Sequence, residues 1–295
     1  AVLYAPDNTP GNKTLFTKSV ARTLLAKIYA EKPLRDYTKV IQYCDEVKAD
    51  GFDLVDDFSD LFGMNAAGTD AKMRNTKESI LEAQFTSGAG NWCTWMFGRD
   101  LVNWNNNFTW AKWVTPSRDL ISAFKQEGDE VRFKESIVYY DCNWSNYYPS
   151  DNYPFMYKCR SANSSIIKYR YADVLLLKAE ALIMQDTPDL EGAADIIDEV
   201  RDRAKLGALP TSVRSNKNVL LNALLKERRL ELAFEGQRWF DLVRLDKVEE
   251  VMNAVYSKDS GRKAQIYTFD KNSYRLPIPQ SVIDANDKIH QNPGY

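Results

Sequence analysis

Apolar residues recur at three- and four-residue steps in two separate blocks of the chain, the spacing of a helix that buries one face. The first block runs from Thr14 to Ala30 and resumes, after a break at Pro33, from Tyr37 to Ala49. Proline interrupts a helix because it lacks an amide hydrogen and its ring collides with the preceding turn. The pattern therefore predicts a helix hairpin at about residues 14–50.

A second copy of this pattern follows in the second block. The segment ARTLLAKIYA, which ends at Ala30, aligns with ADVLLLKAEA, which ends at Ala181. Downstream, Asp45-Glu-Val aligns with Asp198-Glu-Val after a two-residue insertion near Pro188. One hairpin cannot bury its apolar face alone, so the repetition predicts tetratricopeptide-like hairpins that stack on each other.

Further hairpins are expected at about residues 169–205 and 218–256, whereas residues 51–165 lose the helical period. That middle region contains turn-forming stretches, and only the run from Ser79 to Thr86 alternates as a short strand would. The predicted fold class is therefore mainly α: tetratricopeptide-like helix hairpins with a loop-rich irregular region and a few short strands.

Aromatic residues are concentrated in the middle region. Five of the seven tryptophans fall between residues 92 and 113, among several asparagines, and a second group of rings runs from Tyr139 to Tyr157. Flat apolar rings and short amides complement the C–H faces and hydroxyls of sugars, although rings also commonly fill the space under long loops. The predicted ligand-binding residues are Trp92, Trp95, Trp104, Trp110, Asn103 and Asn105.

Composition excludes several classes of partner. The formal net charge is -2, with 39 Lys and Arg against 41 Asp and Glu, so no basic excess exists to attract nucleic acid. No run of about 18 apolar residues is present, and the first residues, AVLYAPDNTPGN, lack the features of a signal peptide. The sequence as given predicts neither a nucleic-acid partner nor a membrane span.

Metal and cofactor motifs are absent from the sequence. The four cysteines form no CxxC pair, and His290 is the single histidine, so no zinc site is predicted. Buried thiols are one interpretation of these cysteines. Cys142 and Cys159 flank a Tyr- and Pro-rich segment and are the pair to test for a disulfide if the protein is extracytoplasmic.

Catalytic motifs are also absent, since a single histidine near the C-terminus gives no internal His-based triad. Glu231 and Glu235 lie one helical turn apart, whereas a glycosidase needs two acids held across a cleft. We expect these two residues to pair with Arg228 and Arg238 in a helix charge network. The protein is predicted not to be an enzyme.

Gly236 lies where one helix should end and the next begin. The turn that follows it is expected to direct Trp239 and Phe240 into the core, while Arg238 and Asp241 join the helix ends. These residues are interpreted as architectural.

The run from Leu224 to Arg244, LLKERRLELAFEGQRWFDLVR, resembles the signature helix of the SusD/RagB family of outer-membrane nutrient-binding lipoproteins. The segment YRYADVLLLKAEA, which begins at Tyr169, also looks like a family motif. So do LPIPQSVIDAN, which begins at Leu276, and the final Asn292-Pro-Gly-Tyr. The similarity extends over nearly the whole chain.

The resemblance implies a protein that is lipid-anchored on the outer membrane of Bacteroidetes and binds glycans for a SusC-like TonB-dependent transporter, without chemistry on them. Some relatives serve peptide uptake, so a peptide- or protein-binding helical-repeat adaptor is the alternative. Family members usually carry a longer N-terminal part with the anchor. We therefore expect residues 1–295 to be a single SusD-like domain from the C-terminal part of a longer protein.

Overall fold

A computed structural model describes residues 2–86, 91, 114–142, 145–258 and 268–295. About 49% of it is helical, with twelve α-helices and four short strands in this described part, so the prediction of a mainly α fold is confirmed. None of the helices in these ranges is long and apolar enough to cross a membrane. The backbone divides into two compact units, Ala1–Gln237 and Arg238–Tyr295.

The first unit contains nine of the described helices and all four described strands. Its helices are α1 Lys18–Ala30, α2 Tyr37–Ala49, α3 Ser59–Phe62, α4 Arg118–Glu127, α5 Glu130–Ser136, α6 Tyr171–Met184, α7 Leu190–Arg203, α8 Thr211–Arg214 and α9 Lys217–Glu231. Its strands are β1 Ser79–Ala83, β2 Ile137–Tyr140, β3 Tyr153–Met156 and β4 Ile166–Arg170. Two 3-10 turns, Val2–Tyr4 and Lys32–Leu34, complete the unit.

Helices α1 and α2 form the first predicted hairpin and pack against each other. Helix α1 begins at Lys18 rather than Thr14, because the preceding residues form turns in which Asn12 Oδ1 accepts the Thr14 backbone N–H at 3.0 Å. The connection contains the 3-10 turn with Pro33, and Asp36 then caps α2 by accepting the Lys39 backbone N–H. The proline break thus lies where the sequence predicts it.

Helices α6 and α7 form the second hairpin, and α2 packs directly on α6, so the two hairpins stack. Asp189 caps α7 by accepting the Gly192 backbone N–H at 2.9 Å. A Cβ on Gly192 would collide with that same carboxylate, so a larger residue here would require the Asp189 side chain to shift. The prediction of tetratricopeptide-like hairpins is confirmed, because the aligned segments lie in α1 and α6 and their partners in α2 and α7.

Small side chains form the contact surface between the stacked helices. Seven alanines of the hairpins have no exposed area: Ala26, Ala30, Ala172, Ala179, Ala181, Ala193 and Ala194. Larger buried residues such as Leu176, Ile183 and Ile197 fill the remaining space of the same core. The alanines let the helix axes approach closely, so the hairpins form a well-packed frame.

Two short antiparallel sheets lie in the region between the hairpins. Strand β1 pairs with β4, with Ser79 opposite Arg170 and Ala83 opposite Ile166. Strand β2 pairs with β3, with Ile137 opposite Met156. The strand predicted at Ser79 is therefore present, and its partner β4 leads directly into α6, which ties the middle region to the helical frame.

Helix α9 packs on both α6 and α7, and Asn216 caps its start by accepting the backbone N–H groups of Asn218 and Val219. After α9, Gly236 adopts a left-handed φ of 77°, as expected for a residue in the turn between helices.

The second unit contains α10 Arg238–Arg244, α11 Val248–Lys258, a 3-10 turn Lys271–Tyr274 and α12 Gln280–Asp284. The placement of Phe240 in the core is wrong, because its side chain is 58% exposed. Within α10 the buried positions are Asp241, Leu242 and Arg244, so residue type alone does not decide which positions of this short helix are covered. The third predicted hairpin, at about residues 218–256, and the single-domain organisation stay predictions.

Candidate functional site

The signature run places a carboxylate at the centre of a buried ion network. Glu231, at the end of α9, is completely buried and accepts hydrogen bonds from three arginines on other elements: Arg132 on α5 at 3.0 Å, Arg170 on β4 at 2.5 Å, and Arg203 on α7. Burial alone would raise the pKa of Glu231, but the guanidinium groups of Arg203, Arg170 and Arg132 hold it well below its usual range.

Two further carboxylates extend this network. Glu235 pairs with Lys158 at 2.6 Å and with Arg170 at 2.7 Å, and Glu78 pairs with Arg170 at 2.7 Å. Burial is also the main reason why the pKa of Lys158 falls to about 8. The network thus joins the start of β1, the end of β4 and the end of α9.

The predicted partners of these carboxylates are therefore wrong. Glu231 pairs with arginines of other elements, and Arg228 pairs instead with Asp173 of α6 at 2.8 Å. Helical spacing predicts neighbours on an exposed helix surface, but this face of α9 is buried, so the cations come from the elements packed against it. Because Glu231 is sealed and held charged, Glu231 and Glu235 do not form an acid and base facing a substrate.

An open groove of about 440 Å³ lies on the loop-rich side of the first unit. Helix α4, strand β2 and the turn before β3 form its walls. Its lining residues are Arg118, Ile121, Ser122, Lys125, Gln126, Tyr139, Tyr148, Pro149 and Asn152. The wall is thus a mixture of two tyrosine rings, two amide side chains, a hydroxyl group and two cations.

Tyr148 is held by contacts on several sides. Its hydroxyl donates to the Pro116 carbonyl oxygen at 2.8 Å, and its ring meets Tyr153 edge to face with centroids 5.6 Å apart. The Arg118 guanidinium lies 4.1 Å from the centre of the Tyr148 ring and 4.5 Å from that of Tyr147. Cation–π contact and the hydroxyl hydrogen bond together fix the ring, so it offers a preorganised surface to a ligand.

Tyr139 supplies the second ring from strand β2. Phe133 lies next to it at a centroid distance of 6.5 Å, and Phe124 of α4 lies 5.6 Å beyond Phe133. Burial raises the pKa of the Tyr139 hydroxyl, which therefore stays protonated at neutral pH and can both donate and accept hydrogen bonds. The groove can hold an apolar face against rigid rings while offering hydrogen bonds around it.

The sequence predicts the ligand contacts between residues 92 and 110, before α4. Its six predicted residues, Trp92, Trp95, Trp104, Trp110, Asn103 and Asn105, lie outside the described residues. The flanks of that segment are described: Asn91 donates from its backbone to the Ala162 carbonyl oxygen at 2.7 Å, and Ser117 caps α4. Residues 114–117 precede α4, whose first residue, Arg118, is also the first groove residue.

The aromatic group from Tyr139 to Tyr157 includes the rings of the groove, whereas its helix α4 is not among the predicted elements. Arg118, Ser122, Lys125 and Gln126 occur at steps of four, three and one along α4. This spacing places four polar side chains on one helix face, next to the buried face of Leu120, Ile121 and Phe124. This amphipathic pattern is the sequence signal from which α4 can be predicted.

Stacked helix hairpins that carry a loop-rich region with an open groove define a class of helical-repeat proteins, and comparisons with known proteins identify the family. Residues 156–295 match the model of the SusD family. SusD-like protein P38 of Formosa agariphila is 43% identical over 99 residues, which cover 32% of this chain and 19% of that protein. SusD-like protein P2 of the same organism is 36% identical over 143 residues, which cover 46% of this chain and 27% of that protein.

The fold of a solved structure agrees with this assignment. The surface glycan-binding protein A of Bacteroides thetaiotaomicron, in complex with laminarihexaose, has a TM-score of 0.73 at 18% identity. The superposition covers 98% of this chain and 66% of that one. The family model, the curated relatives and the fold together support a SusD/RagB family protein. Its matched stretches span about a fifth to a quarter of the length of the curated relatives.

Proposed function

We propose that the protein binds glycans at the bacterial cell surface and delivers them to a SusC-like TonB-dependent transporter without cleaving them. Outer-membrane location and lipid anchoring are typical of the SusD/RagB family. The observation that carries the proposal is the groove, in which the rigid Tyr139 and Tyr148 rings stand beside the amides of Gln126 and Asn152. A family neighbour of the same fold is a surface glycan-binding protein in complex with laminarihexaose.

The energetics of ring contacts require more aromatic surface than these two tyrosines supply. Covering one ring face removes roughly 100 Å² of apolar area, worth about 2.5 kcal/mol. Association costs at least ~4 kcal/mol, so two rings leave almost no net affinity. We therefore propose that the indoles of Trp92, Trp95, Trp104 and Trp110, with the amides of Asn103 and Asn105, complete the site. In the sequence, Trp110 lies eight residues before Arg118 of the groove wall.

The same arrangement supports binding without catalysis. The carboxylates closest to a glycosidase pair in the sequence, Glu231 and Glu235, are engaged by Arg170 and Lys158 in the buried network. Among the described residues, the groove lining includes no carboxylate that could donate or accept a proton. Incubation of the purified protein with polysaccharides should therefore release no new reducing ends.

Alanine replacement of individual rings tests the glycan site. We expect Trp92→Ala, Trp104→Ala and Tyr139→Ala each to weaken polysaccharide binding about tenfold or more, because each removes one stacking face. Retention in native gels cast with laminarin, xylan, polygalacturonate or carrageenan gives the measurement. The matched control is Tyr43→Ala. It removes a half-buried ring of α2 that stacks on Tyr29 and is not among the groove-lining residues.

If all ring variants were retained as strongly as the wild type, the proposed glycan site would be wrong. Binding of extended peptides, with no retention by any of the polysaccharides, would instead favour the peptide-binding alternative. Co-purification of the full-length protein with a TonB-dependent barrel from outer membranes tests delivery to the transporter, and recovery of the protein alone would count against that step.

A further inference from the structure

A small pit lies where helices α2, α6 and α7 meet, at the contact between the two stacked hairpins. Its volume is about 30 Å³. Three of its charged residues, Asp45, Lys48 and Glu199, are exposed, whereas Tyr171 and Cys44 are buried. The lining residues are Cys44, Asp45 and Lys48 of α2, Tyr171, Val174, Leu175 and Lys178 of α6, and Ile196 and Glu199 of α7.

Tyr171 brings a buried hydroxyl group to this pit. Its side chain is 2% exposed, and its hydroxyl oxygen has no hydrogen-bond partner among the described residues. Burial raises the pKa of Tyr171, and the carboxylate of Glu199, which also lines the pit, raises it further. The hydroxyl group therefore stays protonated at neutral pH and can both donate and accept hydrogen bonds. A buried hydroxyl group without a partner destabilises a fold, so native proteins satisfy such groups with protein atoms or ordered water.

The size of the pit limits what can satisfy this hydroxyl group. One water molecule needs roughly 10–15 Å³ of such a volume, so about 30 Å³ holds one or two. A phosphate, a carboxylic acid or a sugar ring is too large. A buried water typically makes about three hydrogen bonds. The Tyr171 hydroxyl, the Glu199 carboxylate and the Lys48 ammonium supply polar partners from three helices.

We propose that the pit is a binding site for ordered water, which hydrogen-bonds to the Tyr171 hydroxyl and links it to the charged residues of the rim. The water joins α2 of the first hairpin to α6 and α7 of the second. The ion pair between Asp45 of α2 and Lys178 of α6, at 2.5 Å, holds the same two hairpins together beside it. This site is separate from the glycan groove, and neither proposal rests on the other.

Tyr171→Phe tests this inference, because it removes the hydroxyl group and keeps the ring. In a crystal structure of the wild-type protein we expect a water oxygen within about 3.2 Å of the Tyr171 hydroxyl oxygen, and no water at that position in the variant. The melting temperature of the variant should fall by about 2–4 °C, because the fold loses a satisfied hydrogen bond.

The matched control is Tyr153→Phe. Tyr153 is also 2% exposed, but its hydroxyl group has direct hydrogen-bond partners, Thr115 at 3.3 Å and Ser145 at 3.1 Å. This variant should also melt at a lower temperature, and it should keep the water beside Tyr171 because it leaves the pit unchanged.

Two outcomes overturn the inference and leave the glycan-binding function untouched. The first is a wild-type crystal structure in which no water lies beside the Tyr171 hydroxyl. The second is an unchanged or higher melting temperature for Tyr171→Phe, because the removal of a dry, unsatisfied hydroxyl group relieves a cost instead of adding one.

Discussion

Replacing Glu231 by glutamine is expected to lower the free energy of unfolding by about 3–5 kcal/mol. The amide keeps the shape of the side chain but removes the charge that Arg132, Arg170 and Arg203 share in the buried network. Three guanidinium groups would then repel each other without their common partner. For a unit of this size the melting temperature should fall by roughly 10 °C, which urea titration and thermal melts can measure.

The matched control for this change is Glu191→Gln on α7. Glu191 also pairs with an arginine, Arg214, but its side chain is 71% exposed. Water can therefore solvate Arg214 after the substitution, and the free energy of unfolding should fall by less than about 0.5 kcal/mol. If Glu231→Gln lowers the free energy of unfolding by less than about 1 kcal/mol, the network is better solvated than its burial indicates.

Asp173→Asn is expected to cost about 3 kcal/mol at neutral pH. The carboxylate lies at the start of α6 and joins two other helices, accepting from Lys27 of α1 at 2.6 Å and from Arg228 of α9 at 2.8 Å. Asparagine would leave two cations facing one weak acceptor and an N–H donor. Chemical unfolding of the two proteins at pH 7 measures the difference.

The pH dependence of that difference is a sharper test. Burial would raise the pKa of Asp173, but Lys27 and Arg228 outweigh it and hold the pKa below its usual range. A depressed carboxyl pKa contributes stability that is complete above the unfolded value, about 3.9, and is lost as the pH falls towards the folded value. The gap between wild type and Asp173→Asn should therefore close by about 1.4 kcal/mol per pH unit below about pH 4.

Asp195→Asn provides the control for the acid titration, because its side chain is 69% exposed and pairs only at the surface of α7. The difference in free energy of unfolding between Asp195→Asn and wild type should stay small at every pH. A gap for Asp173→Asn that is constant from pH 7 to pH 3 would show that this carboxyl group has an ordinary pKa in the folded protein.

The helical frame could be predicted from the sequence because its signals are local. Hydrophobic periodicity places α1 and α2, and the alignment of the segments ending at Ala30 and Ala181 identifies the second copy. The strand at Ser79 is indicated by its alternation, although its partner β4 lies more than 80 residues away and could not be found by the same means.

Interactions between distant elements could not be predicted in this way. Spacing within α9 suggests that Glu231 pairs with Arg228, but the tertiary fold supplies Arg170 and Arg203 instead. Phe240 is exposed although its residue type favours the core, whereas the polar Asp241 and Arg244 of the same helix are buried. The groove likewise depends on α4 and the second sheet coming together, so only its rings and its amphipathic helix leave a trace in the sequence.

The ion network also constrains the order of assembly during folding. Glu78, Arg170 and Glu231 are separated by 92 and 61 residues along the chain. Before α9 docks, the chain can pair its hairpins, yet it must hold Arg132, Arg170 and Arg203 without the acid they share. The arginines would stay hydrated until α9 docks, so the final closure of this core awaits the last helix of the first unit.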